Sequence, residues 1–126
     1  MASGKQIGAY SGKMTGITFG PGSGNDQSVQ INMEGTFSGE LGEGTYVLTH
    51  HVVLAPGDKS GMWSQYGLAM MNNGSGLQFR VQGTWEEISS GKWSYRGNGQ
   101  LSDGRTYVSE FEGDWATRTW AGKLYE

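Results

Sequence analysis

The chain has 126 residues, 23 of them Gly and none Cys, with a net charge of −3. That length suits one domain, read here as residues 1–126, and the lack of Cys excludes disulfides, thiolate zinc sites and cysteine nucleophiles. Nine basic against 12 acidic side chains give no electrostatic case for a nucleic-acid partner, and no apolar run reaches the roughly 18–20 residues of a membrane helix.

Turn signals divide the chain in order. The first lies at Pro21-Gly22-Ser23-Gly24-Asn25-Asp26, followed by Gly42-Glu43-Gly44 and Pro56-Gly57-Asp58-Lys59-Ser60-Gly61. Asn72-Asn73-Gly74-Ser75-Gly76, Ser89-Ser90-Gly91, Asp103-Gly104 and Ala116-Thr117 follow. Asn-Gly and Asp-Gly favour hairpins because their turns need positive φ. The segments between them predict eight strands: 5–19, 27–41, 44–54, 62–71, 76–88, 91–102, 105–115 and 117–125.

Inside these segments the period is two. Val29, Ile31, Met33 and Phe37 share one parity, as do Leu77, Phe79, Val81 and Trp85. Trp93, Tyr95 and Leu101 follow suit, then Tyr107, Phe111 and Trp115. In segment 62–71 the more apolar set is Met62, Tyr66, Leu68 and Met70, which predicts those four to point inward. Met71 and Trp63, with Val47, Val53 and Val108, then fall on the outer parity. Sequential antiparallel strands with one apolar face predict an all-β fold, a single eight-stranded antiparallel meander barrel, since closure removes exposed edges. A two-sheet sandwich is the competing architecture.

The inner parity carries many rings and many glycines. Leu, Ile, Val and Phe number only 21, and 15 aromatics with 6 Met supply the remaining apolar bulk. Two readings compete. Either Tyr46, Tyr66, Tyr95, Tyr107, Trp85, Trp93 and Phe111 wall a ligand pocket, or the rings fill space opposite Gly97, Gly99 and Gly113. His50 shares the parity of Tyr46, Leu48 and Val52, which predicts an inward imidazole. There it is the candidate general acid/base, with a core histidine satisfied by a Tyr hydroxyl as the alternative. Adjacent His50 and His51 face opposite ways and cannot chelate one metal ion, so no metal is expected. Glu110, Glu112 and Asp114 read as outer-face charges, with Arg96 expected across the strand from Glu110 or Glu112. No nucleophile elbow, phosphate loop or dinucleotide fingerprint occurs, so no cofactor is expected.

Gly91-Lys92-Trp93 has the Gly-x-Trp form of lipocalins, but mid-chain rather than on the first strand. A broader likeness runs from a Gly-rich first strand through Met33-Glu34-Gly35-Thr36-Phe37-Ser38-Gly39-Glu40-Leu41-Gly42-Glu43-Gly44 to Gly83-Thr84-Trp85 and Gly97-Asn98-Gly99-Gln100-Leu101. In this order the chain resembles bacterial allene-oxide-cyclase-like barrels of the calycin type. The resemblance implies an eight-stranded barrel with a lumen and, by analogy with plant allene oxide cyclases, a cofactor-independent cyclase or isomerase acting on an apolar substrate. Their pocket residues find no match here.

The expected function is therefore binding of a small apolar or ring-bearing molecule in an aromatic lumen, with cyclisation or isomerisation through His50 as an added step. The alternative is a carrier, or a structural barrel with a packed lumen. Outer-parity apolar residues predict a homo-oligomer, a dimer or trimer. The opening residues Met1-Ala2-Ser3-Gly4-Lys5-Gln6 lack the apolar stretch of a signal peptide, which points to the cytoplasm.

Overall fold

A computed structural model describes residues 4–126. Eight strands follow one another: β1 (Gln6–Pro21), β2 (Gln27–Gly39), β3 (Gly44–Leu54), β4 (Ser60–Met71), β5 (Gly76–Ser89), β6 (Lys92–Leu101), β7 (Thr106–Asp114) and β8 (Thr119–Tyr125). Each pairs antiparallel with the next, and β8 pairs antiparallel with β1, so the sheet closes into a barrel. The predicted strands agree with these bounds to within two residues at each end. No helix occurs among the described residues.

The register shows how the strands tilt. From Ile17 the pairing runs to Ile31, His50, Gln65, Val81, Gly99 and Tyr107. The neighbouring Val108 pairs with Tyr125, and Tyr125 with Gln6. That row starts at Thr18, so one circuit returns to β1 about twelve residues upstream, the stagger that strand tilt imposes on a small barrel. A bulge between Met14 and Gly16 shifts the inward parity of β1 from even to odd positions.

The two ends of the barrel differ. One end carries both termini with the β2–β3, β4–β5 and β6–β7 turns. The other carries the β1–β2, β3–β4, β5–β6 and β7–β8 turns. The inward faces of all eight strands make one core, in which Val29, Ile31, Met33, Leu48 and Val81 pack with Trp63, Trp85, Tyr95, Phe111 and Trp120.

The inward glycines are seats for rings. A Cβ at Gly99 would lie 2.3 Å from Cζ of Tyr107, and one at Gly97 would lie 2.7 Å from the Trp63 ring. A Cβ at Gly122 would meet Phe111 and Tyr10, and one at Gly67 would meet Phe79. These side chains pack over the bare backbone of another strand, where a Cβ would displace them. Gly97 and Gly99 thus accommodate rings, as the filled-space reading expected.

β4 corrects the sequence expectation. Its inward side chains are Trp63, Gln65 and Ala69, all buried, while Tyr66 is 65% exposed and Met62, Leu68 and Met70 also face out. Met71, expected outside, faces the lumen. The parity was read from the more apolar set, and on this strand that set is on the outside. Trp63 settles the register: its ring lies over Gly97, and its indole N–H donates to the Thr84 carbonyl at 2.8 Å. Val47 and Val53 do face outward, as expected.

Candidate functional site

The middle of the lumen is filled by aromatic rings. His50 stacks on Trp63 with centroids 5.5 Å apart, and Tyr95 stacks on Phe111 at 4.3 Å. His50 meets Tyr95 nearly edge-on at 5.3 Å, and Phe111 lies 6.3 Å from Trp120. Beyond this layer, toward the end without the termini, Trp85 stacks on Trp93 at 3.8 Å, and Trp93 meets Trp115 at 5.3 Å. That half of the barrel is closed by rings.

The half nearer the termini holds a cavity with about 70 Å³ open to water centres. Leu48, Ala69, Met71, Phe79, Leu101 and Leu124 form its apolar wall. Tyr10, Gln65, Tyr107 and Ser109 supply its polar groups, and Tyr46 and Phe37 complete much of the rest. No Lys, Arg, Asp, Glu or His lines it. At about 10–15 Å³ per water centre the space takes a handful of waters, or a ligand portion of similar size.

Three of the polar groups are committed. The Tyr10 hydroxyl and the Ser109 hydroxyl are 2.7 Å apart and hydrogen-bonded. Tyr46 donates to the Ser11 carbonyl at 3.0 Å and accepts from the Trp120 indole N–H at 2.9 Å. Its hydroxyl fits because Gly12 and Gly35, paired across β1 and β2, leave the wall bare beneath it. Burial raises the Tyr46 hydroxyl to a pKa of about 12, and the Trp120 bond lowers it only in part. Burial likewise pushes Tyr10, Tyr95 and Tyr107 above the usual phenol range, so all four are neutral near pH 7.

Two others are open. Gln65 donates through Nε2 to His50 Nδ1 at 3.1 Å, which leaves its Oε1 without a partner among the described residues. The Tyr107 hydroxyl makes no hydrogen bond to any described residue. Both side chains line the cavity.

His50 is fully buried and sits behind Gln65, outside the cavity wall. Because Nδ1 accepts from Gln65, the ring proton sits on Nε2, which has no polar partner. Burial drives the imidazole pKa down to about 3, with the nearby His51 charge adding to the effect. His50 is thus a neutral ring of the core whose polar partner is a glutamine rather than a tyrosine.

Of the residues singled out from sequence, the structure brings Tyr46 and Tyr107 to the cavity. Tyr95, Trp85, Trp93 and Phe111 belong to the ring layers, and Tyr66 lies on the outer surface. Sequence reasoning passed over Gln65, because β4 was read with the opposite parity. It also passed over Tyr10, because the bulge in β1 obscures the period there. Ser109 had the right parity but no feature marking it as a site residue.

A wider groove of about 1540 Å³ runs over the outer wall, lined by Ser11, Thr36, Ser94, Arg96, Glu110 and Lys123 among others. It is open to solvent, and Arg96 bonds Glu110 within it across β6 and β7, as the register expected. An ion pair on a solvated face of this kind is ordinary surface stabilisation. No grouping of three or more metal-ligating side chains occurs among the described residues. Set against protein-family models, curated proteins and solved structures, the chain matches none.

Proposed function

We propose that the protein binds a small, uncharged, largely apolar molecule in the half of the lumen nearer its termini. The observation that carries this reading is an apolar cavity with two unspent polar groups, Gln65 Oε1 and the Tyr107 hydroxyl. Both atoms keep surface open to the cavity, where water can meet them and a polar ligand can replace that water. A ligand hydroxyl meets both, donating to Gln65 Oε1 and accepting from Tyr107. Charged ligands are disfavoured, because no cation or anion lines the wall to offset their desolvation.

Binding without chemistry is favoured over cyclisation or isomerisation. The His50 ring is shielded from the cavity by Gln65, which occupies its Nδ1, and burial keeps it uncharged near pH 7, so it offers neither a free base nor an imidazolium acid. The tyrosines, raised by burial, are poor acids. The likeness to allene-oxide-cyclase-like barrels therefore supports the lumen as a binding place and lends no catalytic group.

The test is an NMR titration with phenol, toluene and benzoate, following the methyl resonances of Leu48, Leu101 and Leu124. Phenol is expected to bind more tightly than toluene, and benzoate least. Tyr107→Phe should reduce the preference for phenol over toluene by about 0.5–1.5 kcal/mol. Ala69→Phe should fill the space and abolish binding. Absence of shifts with all three probes would leave a packed structural barrel as the reading.

A further inference from the structure

β4 has its pattern reversed: the side it turns to solvent is more apolar than the side it turns to the core. Tyr66 is 65% exposed, Leu68 37% and Met70 42%. Val47 of β3, paired directly with Leu68, is 53% exposed. These four form one contiguous island across two strands. The outer faces on either side are polar, with Asn32 and Glu34 on β2 and Gln78 and Arg80 on β5. Strands with one solvated face place polar residues there, and an apolar island with a polar rim marks a contact surface.

We propose that the outer face of β3 and β4 is the interface of a two-fold dimer, the occupant being a second copy of this chain. The rim charges argue for a self-complementary contact. Glu34 flanks the island on the β2 side, across from Val47, and Arg80 flanks it on the β5 side, across from Tyr66. Glu34 reaches no nearer than 3.9 Å to Lys13, and Arg80 bonds only the neutral Gln100 side chain at 2.8 Å. A two-fold axis parallel to the strands, between β3 and β4, lays β2 of one copy opposite β5 of the other. Each Glu34 then faces β5 of its partner, with Gln78 directly opposite and Arg80 offset one inter-row step of about 7 Å along the strand, so that the long arginine side chain is the cation nearest to it on that strand. The same rotation lays Val47 against Leu68 and encloses Tyr66 and Met70. The symmetry produces two Glu–Arg contacts at once, and closed two-fold pairs are the commonest homo-oligomers.

The experiment is sedimentation velocity over a micromolar concentration series with the full chain. Wild type should run at twice the 13.6 kDa chain mass. Leu68→Lys should give a monomer with an unchanged far-UV spectrum. Because that variant changes packing, the charges supply a second readout. Glu34→Arg and Arg80→Glu should each weaken association about tenfold, and the double exchange should restore it. A monomeric or trimeric wild type overturns the proposal. So does a dimer that survives Leu68→Lys, or a double exchange that fails to rescue the single ones. None of these outcomes bears on the lumen, whose probes report separately.

Discussion

His50 shows how one buried side chain ties stability to pH. Its folded pKa is about 3, against 6.5 for a free imidazole, because the ring core around it cannot solvate a charge. Between those two values the unfolded chain takes up a proton that the folded chain refuses. Stability is therefore intact above about pH 6.5 and falls as the pH drops toward 3, by about 1.4 kcal/mol per unit. Thermal melts between pH 4 and 7 should show this slope, and His50→Gln, which cannot take up the proton, should flatten it. An equally steep acid loss in the variant would place the sensitivity elsewhere. Tyr46 sets the opposite limit. Its folded pKa of about 12 exceeds the free value of 10, so its contribution is present below pH 10 and is lost above it.

At the level of elements, the glycines decide how closely the strands approach. At Gly83 an added Cβ would lie 1.9 Å from the Arg96 carbonyl and 2.5 Å from Gly97 Cα. Both are backbone atoms of the paired β6, which cannot give without breaking the ladder. Gly83→Ala should thus cost at least about 1–3 kcal/mol, as other forced overpacking does. Gly16, beside the β1 bulge, meets only the Asn32 amide at 3.8 Å. Gly16→Ala should be nearly neutral, and urea melts of the two variants give the comparison; equal losses would refute the steric account.

The strand limits were legible because turn residues and alternation agree along most of the chain. β2, β5, β6 and β7 each bury the parity that their apolar residues predict. β4 was misread because amphipathicity reports which side is apolar, not which side faces the core. A strand whose outer side is apolar inverts the signal. The site suffered more than the fold. Gln65 lies on that strand, and Tyr10 precedes a bulge that no local residue pattern announces. His50 was placed inward correctly, yet its role depends on what surrounds it. No spacing along the chain encodes that Gln65 meets its Nδ1 while rings surround the rest.

At the scale of the whole molecule, the barrel depends on its last strand. β8 pairs with both β7 and β1, and through Trp120 it also reaches across the lumen. The Trp120 indole donates to Tyr46 on β3, and Tyr46 donates to the Ser11 carbonyl on β1. Three strands, from both sides of the closing seam, are joined by these two bonds. Trp120→Phe keeps most of the apolar contact and removes one bond, so it should cost about 0.5–1.5 kcal/mol. Ending the chain at Asp114 is a different matter. It removes the Trp120 ring from the core and leaves β1 and β7 with unpaired edges, each able to recruit another chain. The truncated chain should lose the near-UV signal of its packed rings and sediment as large aggregates. A monomeric product with an intact near-UV spectrum and a cooperative melt would show that seven strands suffice, and that closure is not what holds the ring layers together.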